Sequence, residues 1–283
     1  MRRPRARSRE LIGWAADWGA DSRVTIARRL RRPRAAADAG LAWRRERLDE
    51  MSGLTREAAG AGESAPISRE SPPTRSEPRP AGVRVVGVLL FPDVEDLDFV
   101  GPLEVFGIAG RLAPGTFDAL TVAQAPQVRT RYGMTVIPAH SLDSAPHLDV
   151  LVIPGGYGTR HETENPPLLS WIAERAAQAE VAASVCTGAF LLAASGVLID
   201  GDATTHWESI ERLRDTYPGL TVRAHARWVD RGHIATSAGI AAGIDLALHL
   251  VSRLSSPALA ARAARQMEYP WEPDAANAGG THG

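Results

Sequence analysis

The chain has 283 residues, enough for one large domain or two small ones, and 44% of them are hydrophobic, which allows a sizeable core. Its formal net charge of -1 gives no global indication of binding to nucleic acid or to a membrane. No apolar run approaches the roughly 20 residues of a transmembrane helix, and no apolar segment follows the basic N-terminus as in a secretion signal. The single cysteine excludes a disulfide within the chain, so we expect a protein of the reducing cytoplasm.

Charge and composition divide the chain near residue 81. Residues 1–80 contain 18 Arg and 11 acidic residues, whereas the remainder contains 14 Arg and 22 acidic residues. Residues 51–80 are rich in Ser, Pro, Gly, Glu and Arg, which is typical of a linker. We therefore predict a disordered Arg/Pro-rich leader and linker over 1–81, a folded domain over 82–270 and a flexible tail over 271–283. A basic leader that binds polyanions is the alternative interpretation.

From residue 83 onward the predicted strands and helices alternate. Buried apolar runs rich in β-branched residues predict strands, and apolar positions at helical spacing predict helices. Such alternation implies right-handed βαβ crossovers, and hence an α/β fold with a mostly parallel sheet flanked by helices. The predicted strands cover 83–91, 117–124, 149–154, 181–185, 203–206, 222–224, 227–229 and 233–236, with a hairpin near 128–137, and the predicted helices cover 98–110, 166–179, 189–195, 208–217, 239–254 and 256–267.

Cys186, the single thiol, lies where a predicted strand meets a helix with almost no loop. Such a turn exposes a nucleophile at the carboxyl edge of a parallel sheet, as in a nucleophile elbow. Gly188 allows the backbone to turn sharply. The helix N-terminus that follows favours a thiolate over a thiol. An ordinary buried cysteine in a βα turn is the alternative interpretation.

The segment Ile153-Pro154-Gly155-Gly156-Tyr157-Gly158 ends another predicted strand. Because the strands are predicted to be parallel, these glycines and Cys186 share one sheet edge. The N–H groups of Gly156 and Thr187 are therefore candidates for an oxyanion hole. Neither glycine-rich phosphate-binding pattern is present.

An acidic segment, FPDVEDLDFVGPLEVF over 91–106, follows the first predicted strand. Asp98 stands among apolar neighbours, which predicts a carboxyl with a raised pKa and a role as an acid or base. Asp93, Glu95 and Asp96 look like solvated loop residues. Glu104 is either a surface charge or a second carboxyl.

Taken together, FPDVEDLDFVGPLEVF, PGGYG, SVCTGAFLLAASGVLIDG, ATTHW and AGIAAGIDLALHLV resemble the DJ-1/PfpI superfamily. The resemblance covers about 83–270, and it is nearest to the isonitrile hydratase branch and to the amidase-like domain of AraC-type regulators. It implies a flavodoxin-like sandwich and a homodimer.

The resemblance also implies roles for single residues. Cys186 corresponds to the nucleophile, Asp98 to the carboxyl that approaches it, and Gly156 and Thr187 to the oxyanion site. Many members have a histidine directly after the cysteine, whereas this chain has Thr187, which argues against a Cys-His protease dyad. His206, on a predicted short strand, is either a substitute base or a structural residue. Aromatic side chains that are candidates to line the pocket are Tyr157, Trp207 and Trp228, and histidines without motif support are His140, His147, His161, His225, His233 and His249.

The resemblance implies an isonitrile hydratase that acts on a small molecule and needs no cofactor. We expect no metal, membrane or nucleic-acid partner. Three alternatives remain: another hydrolytic or glyoxalase-like enzyme, a ligand sensor without catalysis, and a redox sensor in which Cys186 is oxidised to sulfinic acid. AraC-type regulators carry about 100 further residues with helix-turn-helix units, and because this chain ends soon after Tyr269 we expect no DNA reading by that route.

Overall fold

The structure, a computed structural model, describes residues 82–273. The predicted leader over 1–81 and the last ten residues of the predicted tail lie outside this range. The elements in chain order are β1 (Arg84–Leu90), α1 (Asp96–Leu112), β2 (Phe117–Ala123), β3 (Val128–Arg129), β4 (Thr135–Val136), β5 (His140–Ser141), β6 (Val150–Ile153), α2 (Thr159–Glu162), α3 (Pro166–Gln178), β7 (Val181–Val185), α4 (Gly188–Ala194), β8 (Gly201–Ala203), a 3-10 turn (Trp207–Ser209), α5 (Ile210–Thr216), β9 (Leu220–Val222), β10 (Trp228–Asp230), β11 (Ile234–Ser237), α6 (Ala242–Leu254) and α7 (Pro257–Gln266).

Seven strands form the central sheet in the order β10-β11-β7-β6-β1-β2-β5. Every neighbouring pair is parallel except β10 and β11. β1 lies near the centre, with Val86 opposite Ala119 of β2 and Val150 of β6. The prediction of a mostly parallel α/β sheet is therefore confirmed.

The central strands β1, β6 and β7 are buried on both faces of the sheet, which explains their continuous apolar sequences. β1, with the sequence RVVGVLL, is buried at every position after Arg84, and β6 and β7 are buried throughout. Two groups of helices flank this sheet. Helices α1, α6 and α7 contact one another, and α4 contacts both α2 and α3. Strands enclosed in this way have no polar face, so they lack the alternation of a half-exposed strand.

One predicted strand is shifted, and this displaces a candidate site residue. The strand predicted over 203–206 runs instead from Gly201 to Ala203 and pairs with β9 in a separate two-stranded sheet. Thr204 and Thr205 continue beyond it, where their hydroxyls bond to backbone carbonyls of other segments. His206 therefore lies in a turn, and its predicted place on a strand is wrong.

The carboxyl ends of β1, β6, β7 and β11 meet at one edge of the sheet because these four strands are parallel. The segments that leave these ends carry Asp98, Gly155 and Gly156, Cys186 and Ile240, respectively. The fold thus gathers residues that are distant in sequence at the place where open parallel sheets bind ligands.

Candidate active site

Cys186 occupies a tight turn between β7 and α4. Its φ of 56° lies in the left-handed region, which side chains other than glycine rarely adopt. Hydrogen bonds hold the residue there: its N–H lies 3.2 Å from the carbonyls of both Ser237 and Ala238, and its carbonyl accepts from Thr205 Oγ1 at 2.7 Å. A strained turn held from both sides is the geometry of a nucleophile elbow, as predicted.

Two glycines allow the strand ends to approach each other this closely. A Cβ on Gly188 would lie 2.1 Å from the Ile153 carbonyl oxygen. A Cβ on Gly155 would lie 2.5 Å from the Thr187 nitrogen and 2.9 Å from Asp98 Oδ2. Both contacts involve backbone or buried atoms that cannot easily move away. The loop after β6 therefore packs directly against the start of α4.

Asp98 lies in the first turn of α1 and is fully buried. Its Oδ2 accepts a hydrogen bond from Gly155 N at 2.9 Å, whereas Oδ1 has no hydrogen-bond partner among residues 82–273. Burial raises the pKa of this carboxyl to about 7, against the opposing effect of the Gly155 N–H, and the charge of Glu95 raises it further. The structure thus agrees with the expectation of a raised pKa.

The thiol of Cys186 lies close enough to this carboxyl for each group to affect the ionisation of the other. Burial raises the pKa of Cys186 well above its usual range, and the negative charge of Asp98 raises it further. The expected thiolate is therefore wrong for the state in which Asp98 is ionised. Protonation of Asp98 removes the second of these effects and so lowers the pKa of the thiol, while the larger effect of burial remains.

Thr187 and Gly156 are in direct contact. Gly156 N donates to Thr187 Oγ1 at 3.0 Å, and Thr159 Oγ1 lies 3.2 Å from the same oxygen. Gly156 has a φ of 129°, and a Cβ there would lie 2.4 Å from the Glu95 nitrogen. The Gly156 N–H meets an oxyanion only if the Thr187 hydroxyl moves aside, so its oxyanion role stays a prediction.

Glu95, expected to be a solvated loop residue, is partly buried beside Asp98. Burial raises the pKa of Glu95, and the neighbouring Asp96 raises it further. Asp96 is also not a free loop residue, because it accepts hydrogen bonds from Thr130 Oγ1 and the Tyr132 N–H. The place of Glu95 depends on the fold of the β6 loop, since its N–H donates to the Gly155 carbonyl at 2.9 Å.

His206 lies at the rim of this site. It caps the 3-10 turn, with Nδ1 accepting from Glu208 N at 3.3 Å, and its ring lies against Gly239. An electrostatic interaction with His206 lowers the pKa of Glu95, so the two groups lie near each other. No described contact joins it to Cys186, so a role as base stays a prediction.

The remaining candidate residues are exposed or line another cavity. Glu104 is exposed and is not the second carboxyl. Trp228 is buried in β10, stacks near His249 and lines a different cavity of about 750 Å³. Tyr157 and Trp207 are largely exposed. Trp228 as a wall of the Cys186 pocket was therefore wrong.

Within residues 82–273 no group of three or more His, Cys, Asp or Glu side chains could hold a metal ion. None of the helices in this range has the length and apolarity that crossing a membrane requires. Thr159 and Thr205 contact the site and were missed, because an isolated threonine in a loop carries no sequence signal.

The parallel sheet, the strained Cys186 turn and the adjoining buried carboxyl define the class: an α/β protein with a cysteine at a nucleophile elbow. Residues 84–253 match the DJ-1/PfpI family. The chain belongs to that family.

Individual relatives come from two functional classes. The chain is 36% identical to an isonitrile hydratase of Pseudomonas putida over 185 residues, which are 65% of this chain and 78% of the hydratase. It is 29% identical to the HTH-type transcriptional regulator CdhR of Pseudomonas aeruginosa over 63% of this chain, and it spans about half of that regulator (53%).

Solved structures share the fold. A ThiJ/PfpI family protein from Pseudomonas syringae superposes with a TM-score of 0.61 at 28% identity, covering 78% of this chain and 86% of that protein. DJ-1beta of Drosophila melanogaster gives a TM-score of 0.60 at 19% identity, covering 67% of this chain and all of that protein.

Proposed function

We propose that this protein hydrates an isonitrile to an N-substituted formamide, with Cys186 as the nucleophile and Asp98 as the general acid. The observation that carries the proposal is a buried carboxyl with a pKa of about 7 that interacts with a thiol held in a strained turn. A group that titrates near neutral pH can both give and take a proton there. The 36% identity to an isonitrile hydratase supports the same reaction.

The reaction proceeds in two stages. In the first, the Cys186 sulphur, as thiolate, adds to the terminal isonitrile carbon, and the Asp98 proton moves to that carbon, giving a thioimidate, R–N=CH–S–Cys. In the second, water adds across the C=N bond, so that the nitrogen gains a proton and the carbon gains the hydroxyl. The C–S bond then breaks, the formamide leaves, and the hydroxyl proton returns to Asp98. In sum, one isonitrile and one water give one formamide, and no cofactor takes part.

The limited access to the Cys186 sulphur favours a substrate with a narrow reactive group. Cys186 is only 6% exposed, so its sulphur is recessed. An isonitrile is linear with its reactive carbon at the end, so it can reach a recessed sulphur. A bulky acyl group with a tetrahedral intermediate would need more room. We also propose that the N–H groups of Gly156 and Thr187 lie near the reacting carbon, and that the Thr187 hydroxyl moves aside when the substrate binds.

The test is the rate of formamide formation from cyclohexyl isocyanide. We expect Cys186→Ala to abolish turnover and Asp98→Asn to lower it by about 10²–10⁴-fold, the usual contribution of a general acid. Glu104→Gln, an exposed carboxyl on the same helix as Asp98, is the matched control and should retain full activity. A folded wild-type protein without turnover would overturn the reaction for this substrate.

The pH dependence follows from the shared proton. Below a pH of about 7 both Asp98 and Cys186 are protonated, and the nucleophilic state, which has one proton on the pair, is scarce. We expect kcat/KM to rise with pH through about 7 and then to level off. A rate that is flat from pH 5 to pH 9 would contradict this assignment.

A ligand sensor is the second candidate, and the similarity to transcriptional regulators favours it. A sensor would bind isonitriles or related small molecules without releasing formamide. Isothermal titration with the substrate and with the formamide distinguishes the two: binding without turnover in the wild type supports the sensor. Turnover of methylglyoxal instead of isonitriles would support the glyoxalase-like alternative.

We further propose that the chain forms a homodimer. Leu97 and Val100 are three residues apart on one face of α1 and are 39% and 36% exposed, and Ile240 beside the site is 37% exposed. Apolar side chains exposed together are typical of an interface. Sedimentation velocity should give the mass of a dimer, and Val100→Glu should shift it toward the monomer. A wild-type monomer would overturn the proposal.

A further inference from the structure

Two arginines lie over the ring of Tyr157 at the carboxyl edge of the sheet. The guanidinium carbon of Arg131 is 5.1 Å from the ring centroid, and that of Arg160 is 4.6 Å from it. Tyr157 is 47% exposed, so a single ring that is open to solvent holds both cations. The two charges are therefore no more than about 10 Å apart, which is the screening length at about 0.1 M salt.

The backbone fixes this pair beside the candidate active site. Tyr157 directly follows Gly156, one of the two residues of the candidate oxyanion site. Arg160 lies in α2, and its N–H donates to the Tyr157 carbonyl at 3.3 Å. The Arg131 N–H donates to the Val94 carbonyl at 2.9 Å, and Val94 forms a β-bridge with Gly156. Both arginines are thus tied to the loop that carries Gly156.

Neither guanidinium has a carboxylate partner among residues 82–273. Arginines elsewhere in this range do form ion pairs, as Arg84 does with Glu180 at 2.7 Å. Burial and the charge of Asp96 raise the pKa of Glu95, and the charge of Arg131 opposes that rise, yet no ion pair joins Arg131 to Glu95. Because residues 81–283 contain 14 Arg and 22 acidic residues, adjacent arginines without a carboxylate are not what this composition predicts.

A third arginine adds to the positive charge on this side of the domain. The guanidinium carbon of Arg212 is 4.0 Å from the ring centroid of Phe190, which lies in α4, and α4 contacts the helix of Arg160. Burial lowers the pKa of Arg212, and the charge of Arg160 lowers it further. Like charges held this close repel one another, and a bound anion removes that repulsion.

We propose that Arg131 and Arg160 bind an anionic group of the substrate, a carboxylate or a phosphate, and so select an isonitrile that carries this group at its other end. The inference rests on the proposed function and names its substrate class. Guanidinium N–H groups match the oxygen atoms of both anions, and a cation–π contact leaves these donors free. Because no described contact joins either arginine to Cys186, they act in substrate selection and not in the chemical step.

The first experiment compares kcat/KM for 6-isocyanohexanoate, 6-isocyanohexyl phosphate and the neutral methyl 6-isocyanohexanoate. We expect wild type to prefer at least one anion over the ester by about tenfold or more, as charge-assisted hydrogen bonds allow, and the preferred anion identifies the group. Arg131→Met with Arg160→Met keeps much of both apolar stems, removes both charges, and should bring the ratio of anion to ester close to one.

Arg111→Met is the matched control, because it removes an exposed arginine about 20 Å along α1 from Asp98 and should keep the wild-type ratio. A wild-type ratio close to one would overturn the proposal. Equal falls in kcat/KM for all three substrates in the double variant would also overturn it, because the arginines would then only hold the Tyr157 loop in place.

The second experiment needs no isonitrile. Iodoacetate and iodoacetamide alkylate the single cysteine and differ in charge. We expect each arginine removed to lower the ratio of their rates about twofold at low salt, the effect of a unit charge about 10 Å away in water, and about 1 M salt to erase the difference. An unchanged ratio in the double variant would overturn the anion site. A lowered ratio in a protein that turns over none of the three isonitriles would retain the anion site while refuting the proposed reaction.

Discussion

Asp98→Asn is the most direct test of the buried carboxyl. Asparagine has nearly the same shape and can accept the Gly155 N–H bond that Oδ2 accepts at 2.9 Å, but it does not ionise. The substitution therefore removes a titrating group while leaving the packing around it in place. Its effect on stability should depend on pH, which is not expected of a simple packing defect.

The sign and the size follow from the pKa. Burial raises the pKa of Asp98 from its ordinary 3.8 to about 7, so between these values the native state holds a proton that the unfolded chain releases. This contribution to stability is complete below pH 3.8 and is lost as the pH rises through 7. A difference of about three pKa units corresponds to about 4 kcal/mol in the free energy of unfolding. The Asn variant does not undergo this loss of stability as the pH rises.

The assay is urea unfolding of wild type and Asp98→Asn at several values between pH 4 and pH 8. We expect the free energy of unfolding of the variant, relative to that of wild type, to increase by up to about 4 kcal/mol from pH 4 to pH 8. Glu104→Gln, which changes an exposed carboxyl on the same helix, should give a nearly constant difference. A constant difference for Asp98→Asn as well would refute the raised pKa and, with it, the role of Asp98 as a proton donor near neutral pH.

Two further pairs of substitutions test the packing of the turn after β7 and the worth of a buried ion pair. Gly188→Ala should destabilise the protein by more than about 3 kcal/mol in thermal or urea unfolding, because its Cβ would lie 2.1 Å from a backbone carbonyl oxygen. Gly107→Ala in α1 is the control: its Cβ would meet nothing within 4 Å, so the change should be neutral or stabilising by up to about 1 kcal/mol. Arg227→Met should lower the free energy of unfolding by about 2–3 kcal/mol, because it leaves the buried Asp245 without its guanidinium partner. Arg84→Met, which removes a more exposed ion pair, should lower it by less than about 1 kcal/mol. Equal losses of stability in the two arginine variants would contradict the burial argument.

The positions of Cys186 and Asp98 at the sheet edge could be predicted from the sequence because each residue stands out from its neighbours. The cysteine follows five buried strand residues, and a helix begins two residues later at Gly188, so the turn is dictated locally. The aspartate interrupts an apolar helix start, and its burial follows from that position. In both cases the signal lies within a few residues of the chain.

The rest of the site depends on contacts between segments distant in sequence. Glu95 looked solvated because its neighbours are acidic, but its N–H bonds to the Gly155 carbonyl, 60 residues away. Thr205 is adjacent to the predicted base His206, yet it is the threonine that bonds to Cys186. The predicted strand over 203–206 failed for a similar reason, because its length is set by the three residues of β9 with which it pairs.

The raised pKa of Asp98 also bears on why relatives of this chain carry the names of both hydratases and regulators. Binding a small molecule requires a pocket at the sheet edge, which the fold alone supplies. Adding to a carbon and then releasing it requires, in addition, an acid that gives its proton near neutral pH and recovers it. Under the proposed function the buried Asp98, with its pKa raised to about 7, supplies this proton, and the cost of keeping it ionised is a loss of stability that binding does not need. A carboxyl retained at such a cost is better explained by proton transfer than by recognition alone, which is why the hydratase is placed before the sensor.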